Sequence, residues 1–173
     1  MTTLPIAPLT LRAALFPRAN SLTNSLLALG GAGFLAFMAQ IAIPVPGSPV
    51  PVTGQTLGVF LIATTYGARL ATATFATYLL AAIAGAPLFA PSATLPSHGL
   101  ARITSATGGY LIGMLVATFV IGYLAQRKAD QKFRTSFPML ILGTVIIFAF
   151  GLTWLRFSLE MSWSQAIAVG LTP

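Results

Sequence analysis

The segment Leu26–Ile43 contains no charged side chain, and it limits the possible folds more than any other feature of the sequence. A helix that crosses a bilayer needs about 20 predominantly apolar residues, so this segment is long enough to be a span. Only 6% of the residues in the chain are charged, and 56% are hydrophobic. A soluble domain has about 25% charged residues, and a chain with so few cannot cover its surface with them. The sequence therefore predicts an integral membrane protein.

The remaining apolar segments predict an all-α fold, a polytopic membrane helix bundle. A chain of 173 residues has room for roughly five or six spans of about 20 residues each. We expect a single transmembrane domain at 26–173, preceded by an N-terminal cytoplasmic tail at 1–25. The predicted spans are 26–43, 53–66, 70–84, 107–125, 137–155 and a short last apolar segment from 162 onwards.

Two of the predicted spans are separated only by the sequence around Gly67 and Arg69. One helix over Thr53–Ala84 would be too long for the bilayer, so a turn is predicted at this point. Short, interrupted spans are typical of substrate sites in transporters. Two tilted helices without such a site are the alternative.

The loop between the first two spans, Gln40–Thr56, is rich in proline. Proline fixes φ and lacks an N–H donor, so four prolines within eight positions exclude a regular helix. We predict a stiff, extended cap with polar residues at its two ends. Irregular backbone near a bilayer persists only where protein or a water-filled cavity satisfies its polar groups. The polar residues at the ends are Gln40, Thr53, Gln55 and Thr56.

A second long connection, 85–105, leads into the span that begins at about Thr107. A loop of this length in a small protein is more often functional than idle. Arg102 lies near the start of the span, where its guanidinium is suited to binding a carboxylate. A snorkelling interface arginine is the alternative. Tyr110 is either an aromatic residue of the interface belt or a ring that stacks on a ligand.

Small residues recur every four positions in two of the predicted spans. Helices approach closely in lipid at such positions, because packing drives their association there. Gly109, Gly113 and Ala117 predict one close-packing face. Ala28, Ala32 and Ala36 predict another, either a docking face for a partner subunit or a contact inside the bundle.

The basic residues indicate how the chain is oriented in the membrane. Cytoplasmic loops carry an excess of Lys and Arg, and a cytoplasmic N-terminus places seven of the nine basic residues inside. The proline-rich loop and the 85–105 loop then lie together on the outer face. The net charge of +7 is spread over the membrane edges without a basic face, so nucleic acid is not a predicted partner. The inside residues are Arg12, Arg18, Arg69, Arg127, Lys128, Lys132 and Arg134; Arg102 and Arg156 lie outside.

Several kinds of chemistry lack the residues that they require. The only carboxylate side chains are Asp130 and Glu160, both in predicted loops, so neither a paired-carboxylate mechanism nor an intramembrane proton relay is expected. His98 is the only histidine and cysteine is absent, so no metal site, hydrolytic triad or thiol nucleophile is predicted. There is no G-x-x-x-x-G-K-[ST] motif for ATP hydrolysis. We therefore predict a protein that is not an enzyme, needs no cofactor and binds a small molecule.

Three blocks of the sequence resemble a known family. IAIPVPGSPVPVTGQTLGVFL, FATYLLAAIAGAPLFA and ATGGYLIG follow one another between about Gln40 and Gly122. They are similar to the signature blocks of the BioY family, the biotin-specific S components of energy-coupling factor (ECF) transporters. The first block is highly specific, and the three together extend over nearly half of the chain.

The resemblance implies a six-helix S-component fold in a bacterial cytoplasmic membrane. Such a subunit binds biotin from outside and works with a transmembrane coupling subunit and a pair of ATPases, or as a homo-oligomer. Small residues on the first helix of S components contact the coupling subunit, which favours the docking interpretation of Ala28, Ala32 and Ala36.

The resemblance also gives the candidate site residues a ligand. The valerate carboxylate of biotin suits Arg102, and its ureido ring suits the hydrogen-bonding groups of Thr53 and Gln55. The fused apolar ring suits aromatic side chains, and the candidates are Tyr78, Phe89 and Tyr110. A membrane scaffold without a ligand and an S component for another vitamin are the alternatives.

Two departures from the family pattern concern the same site. Ser105-Ala106-Thr107 stand where the family has G-P-T. Family members continue beyond a G-x-x-P with a G-D-x-x-K helix, whereas this sequence stops at Gly170-Leu171-Thr172-Pro173. We therefore expect the last helix of the bundle to be truncated, or the chain to be a variant with a weakened site.

Overall fold

A computed structural model describes residues 10–92 and 95–171 of the chain, and these residues are predominantly helical. The predicted all-α fold is confirmed, with one two-stranded sheet and one short 3-10 helix (Ala129–Gln131) among the described residues. The α-helices are α1 (Leu11–Leu15), α2 (Ser21–Gln40), α3 (Gln55–Tyr66), α4 (Ala68–Ile83), α5 (Leu100–Ile103), α6 (Gly108–Ala125), α7 (Phe133–Ser158) and α8 (Trp163–Gly170); the strands are β1 (Ala42–Ile43) and β2 (Val52–Thr53).

Three helices, α2, α6 and α7, are each long and apolar enough to cross a membrane. The helix α4 is a shorter apolar helix, and α3 has 12 residues. The last helix, α8, has eight residues, and the predicted segment that it belongs to extends to Thr172 and Pro173, which lie outside the described residues. The bundle therefore follows the predicted order of apolar segments.

The turn between α3 and α4 lies at Gly67, inside the predicted interruption, whereas Arg69, which was predicted at the turn, is the second residue of α4. The φ of Gly67, +78°, is in the left-handed region, which glycine adopts without steric cost. The Gly67 N–H donates to the carbonyl oxygen of Ala63 at 3.0 Å and so ends α3.

The proline-rich loop is not helical between α2 and α3, as the sequence predicted, and a short antiparallel ladder joins its two ends. Ala42 pairs with Thr53 and Ile43 with Val52. The Gly54 N–H donates to the carbonyl oxygen of Ile41 at 2.8 Å and continues the pairing by one step. Proline cannot donate to a ladder, which explains why the pairing stops where the prolines begin.

The first long helix begins earlier than predicted, at Ser21 instead of Leu26. The Asn20 side chain accepts a hydrogen bond from the Thr23 N–H at 2.8 Å and caps the helix there. The prediction followed apolar residues only and therefore missed this polar first turn. The short α1 also falls within the predicted tail at 1–25, whose residues 1–9 lie outside the described part.

The helix α6 forms the centre of the bundle. Of its most apolar 18-residue window, 61% is buried, compared with 28% in both α2 and α7. It approaches α7 very closely: a Cβ on Gly109 would lie 2.2 Å from Cβ of Trp154, and one on Gly113 would lie 2.9 Å from Cα of Ile147. The predicted close-packing face of α6 is therefore confirmed.

The alanine face of α2 packs inside this protein. Ala32 is 7% exposed and Ala36 is 9% exposed, and both belong to the core that α2 shares with α3 and α4. These two side chains are not available for docking in this structure, which corrects that part of the prediction. Ala28 is half-buried, and its docking role stays a prediction. Periodicity locates a small-residue face but does not indicate which helix covers it.

We expect Gly109→Ala and Gly113→Ala each to lower the free energy of unfolding by about 1–3 kcal/mol, because a methyl group there forces α6 and α7 apart. Thermal unfolding of the purified protein in detergent measures this effect. Gly30→Ala is the matched control, since a Cβ at Gly30 meets nothing within 4 Å. Equal stability of the Gly109 and control variants would contradict the close approach.

Candidate functional site

A cavity lies where the proline-rich loop, the 84–107 connection and the start of α6 meet. Its empty volume is about 840 Å³, open mouth included. Its walls are mainly apolar with a few polar groups. The lining residues are Val50, Pro51, Val52, Thr53, Gln55, Thr56, Phe89, Ala90, Arg102, Thr107, Tyr110, Leu111, Met114, Ile147, Phe148, Gly170 and Leu171.

The structure brings together five of the six residues that the sequence indicated as a binding site. The sixth, Tyr78, does not line the cavity. Its ring packs edge-on behind Phe89, with ring centroids 5.9 Å apart, and its hydroxyl donates to the carbonyl oxygen of Leu88 at 3.3 Å. Tyr78 therefore supports the cavity wall instead of forming it. The five lining residues are Thr53, Gln55, Phe89, Arg102 and Tyr110.

Arg102 is held in the cavity by the contact between α5 and the start of α6. A Cβ on Gly108 would lie 1.7 Å from the carbonyl oxygen of Ile103, so only glycine lets the two segments meet there. From α7, the indole Nε1 of Trp154 donates to the carbonyl oxygen of Ser105 at 2.9 Å. The position of Arg102 thus depends on both α6 and α7.

The guanidinium of Arg102 carries a buried charge without an acidic partner among the described residues. Arg102 is 2% exposed, which is inconsistent with a snorkelling interface arginine. Within the described part of the chain, its guanidinium makes one hydrogen bond, from Nη1 to the carbonyl oxygen of Pro96 at 3.2 Å. Burial lowers the pKa of Arg102, because desolvation disfavours the charged form. Arginine nevertheless stays protonated in proteins, so the cavity contains an uncompensated cation.

Gln55 supplies a second unused polar group. It is the first residue of α3 and is 3% exposed, and its Nε2 has no hydrogen-bond partner among the described residues. A buried amide without a partner costs about 1–3 kcal/mol. The hydroxyl of Tyr78 donates to the carbonyl oxygen of Leu88, and its oxygen lies close enough to Gln55 for a weak side-chain hydrogen bond. No hydrogen bond to Gln55 Nε2 among the described residues has good geometry, so this amide is available to a ligand.

Tyr110 contributes its ring to the cavity wall, while its hydroxyl is used elsewhere. The hydroxyl donates to the carbonyl oxygen of Gly170 at 3.0 Å, and the ring packs edge-on against Phe148. The ring also lies over Gly151, where a Cβ would be 2.4 Å from Cε1 of Tyr110. Because Tyr110 is 7% exposed, the structure excludes the interface-belt alternative.

Sequence reasoning missed the apolar residues that form the far wall. Met114, Ile147 and Phe148 line the cavity from the middle of α6 and α7. Nothing distinguishes these residues from other apolar residues of a span, so only the packing of the two helices identifies them. The position of Thr107 directly after the long loop was a weak indication that it lines the cavity.

The cavity is thus suited to a small, mostly apolar molecule with one anionic group. Its cation and free amide favour a carboxylate and a hydrogen-bonding polar group, and its aromatic and aliphatic walls favour an apolar body. These requirements agree with the chemistry that the sequence predicted.

The comparison with protein families decides where this chain belongs. A model of the BioY family matches residues 11–173. The chain belongs to the BioY family. The predicted relationship, which rested on three blocks between Gln40 and Gly122, is therefore confirmed over nearly the whole length.

Relatives and a solved structure agree with this assignment. The chain is 35% identical over 149 residues to biotin transporter BioY2 of Lactococcus lactis subsp. cremoris, covering 86% of this chain and 78% of the relative. It is 37% identical over 131 residues to biotin transporter BioY of Thermotoga maritima, covering 76% and 73%. The fold is similar to the crystal structure of the S-component for biotin from an ECF-type ABC transporter, with a TM-score of 0.76 and 21% identity over 87% of this chain and 80% of that one.

We expect Arg102→Met to raise the free energy of unfolding of the ligand-free protein by about 1–2 kcal/mol, because a buried charge without a partner is costly. Thermal unfolding in detergent measures the change. Arg69→Met is the matched control, since Arg69 is exposed and its replacement should change stability by less than about 0.5 kcal/mol. A clear loss of stability in Arg102→Met would instead indicate that Arg102 serves the fold.

Proposed function

We propose that this protein binds biotin for uptake across the cytoplasmic membrane, as the substrate-binding S subunit of an ECF-type transporter. One observation carries the proposal: among the described residues, the cavity is lined by a buried guanidinium without an acidic partner and by a buried amide whose Nε2 has no well-formed hydrogen bond. Biotin carries one carboxylate, one polar ureido ring and an apolar body. The named activities of the BioY relatives support the same ligand.

Biotin lies in the cavity with its carboxylate at Arg102. A guanidinium binds a carboxylate through two parallel hydrogen bonds, and the burial of Arg102 strengthens the attraction. The amide of Gln55 and the hydroxyl of Thr53 serve the ureido group. The fused ring packs against Phe89 and the ring of Tyr110, and Tyr78 supports Phe89 from behind.

The protein acts as a transport subunit, and its partners supply the energy. A transmembrane coupling subunit and a pair of ATPases drive the release of biotin inside; membership of the BioY family and the likeness to an S-component of an ECF-type ABC transporter support these partners. The half-buried Ala28 is the remaining candidate for contact with the coupling subunit.

The N-terminus of the protein is cytoplasmic, and the cavity opens on the outer side. The excess of Lys and Arg on the N-terminal side supports this orientation. It directs the proline-rich loop, Arg102 and the start of α6 toward external biotin. The basic turn between α6 and α7 then lies inside.

Biotin binding to the purified protein tests the ligand. We expect Arg102→Gln to weaken biotin binding by roughly 10- to 100-fold, the loss typical of a charged hydrogen-bonded pair. Biotinol, in which an alcohol replaces the carboxylate, should bind the wild type weakly and should lose little further affinity in Arg102→Gln. Isothermal titration calorimetry measures all four combinations, and Arg69→Gln is the matched control.

Each other result points to a different function. Additive losses for Arg102→Gln and biotinol would mean that the carboxylate binds elsewhere. Tight binding of a different vitamin that biotin does not displace would identify another substrate. A wild-type protein that binds no small molecule would support the membrane scaffold instead.

The orientation has its own test, which the absence of cysteine makes simple. We expect His98→Cys in intact cells to react with a membrane-impermeant maleimide, because the 85–105 loop faces outward. Gln131→Cys, in the 3-10 helix between α6 and α7, should react only after the cells are opened. The reverse pattern would contradict the proposed orientation. Both residues are exposed, so their reactivity reports the side of the membrane.

A further inference from the structure

Gln40, the last residue of α2, connects this helix to a distant part of the cavity wall. Its Nε2 donates to the carbonyl oxygens of Leu88 and Phe89, at 3.3 Å and 3.2 Å. The hydroxyl of Tyr78 also donates to the carbonyl oxygen of Leu88. The backbone at 88–89 is thus fixed from two helices, α2 and α4. Gln40 itself does not line the cavity.

The two carbonyl oxygens that Gln40 binds accept hydrogen bonds only from side chains, within the described residues. The Leu88 and Phe89 N–H groups donate to backbone carbonyl oxygens of the same loop, at 2.8 Å and 3.1 Å. Pro87 and Pro91 flank the segment and have no N–H to donate. The segment carries Phe89, which is 1% exposed and lines the cavity. The position of this wall therefore depends on the side chains that bond to its carbonyl oxygens.

The same segment is coupled to the buried cation. Phe89 pairs with Ser97, and the neighbouring Pro96 accepts the hydrogen bond from Arg102. A shift of the backbone at 88–89 therefore changes the aromatic wall first and the surroundings of Arg102 second.

We propose that Gln40 is a positioning residue for ligand binding, which it serves by holding Phe89 in the cavity wall. The inference rests on the proposed function for its ligand, biotin. Gln40 touches no ligand in this arrangement, and its amide acts through the carbonyl oxygens of Leu88 and Phe89. Loss of the amide donor leaves the wall looser, so that bound biotin dissociates faster.

The test compares variants that differ in whether residue 40 can donate a hydrogen bond. Gln40→Met keeps a long, unbranched side chain but removes the donor, whereas Gln40→Lys keeps a donor. Gln131→Met is the matched control, because Gln131 is exposed and its side chain makes no hydrogen bond in the described ranges. Two quantities are measured on the full chain in detergent: amide hydrogen exchange over 86–92 without ligand, and the dissociation rate of biotin.

We expect Gln40→Met to raise both the exchange rate over 86–92 and the biotin dissociation rate, each by roughly three- to tenfold. A change of this size is expected when one or two partly exposed hydrogen bonds are lost. Both rates in Gln40→Lys should remain within about twofold of the wild-type rates. Both rates in Gln131→Met should equal the wild-type rates. Unchanged exchange and dissociation in Gln40→Met would overturn the proposal. Faster exchange with unchanged dissociation would also overturn it, since Gln40 would then serve only the fold.

The two hypotheses fail in different ways. A wild-type protein that binds no biotin would contradict the proposed function. The exchange comparison needs no ligand, and unchanged exchange in Gln40→Met would still show that Gln40 does not hold the wall.

Discussion

The close approach of α6 and α7 determines the geometry of the cavity. In lipid, helices associate through packing and not through the exclusion of water, so glycine at the contact has a large effect. Gly109 lets α6 approach Trp154 of α7, and Gly108 lets the start of α6 meet Ile103 of α5. Because Arg102 precedes Ile103 directly, the contact that stabilises the bundle also positions the buried cation.

The cavity contains buried polar groups without the hydrogen-bond or ionic partners that such groups have in most proteins. Within the described residues, Arg102 lacks an acidic partner and Nε2 of Gln55 lacks a well-formed hydrogen bond, and both lower the stability of the ligand-free state. The surrounding wall compensates through rigid contacts: Tyr78 behind Phe89, Gln40 on the backbone at 88–89, and close packing of α6 against α7. Such a site loses stability in order to bind an anionic ligand strongly.

Part of this structure follows from local sequence rules, and part does not. The turn at Gly67 and the proline-rich cap depend on backbone restrictions of single residues, and both were predicted. Arg102 could be identified as a candidate site residue because charged side chains are rare in such an apolar chain. The inward-facing side of Ala32, the supporting role of Tyr78 and the cavity-lining position of Ile147 depend on which helices are neighbours. Periodicity within one helix does not contain that information.

In the proposed complex, the buried guanidinium of Arg102 pairs with the carboxylate of the ligand. Solid-state NMR on the protein in lipid bilayers measures this contact, with ¹³C in the carboxylate of biotin and ¹⁵N in arginine. We expect a dipolar coupling of the strength that a hydrogen-bonded carboxylate–guanidinium pair gives, and we expect it to be lost in Arg102→Gln. Bound biotin whose carboxylate shows no such coupling, or a coupling that persists in the variant, would contradict this pairing.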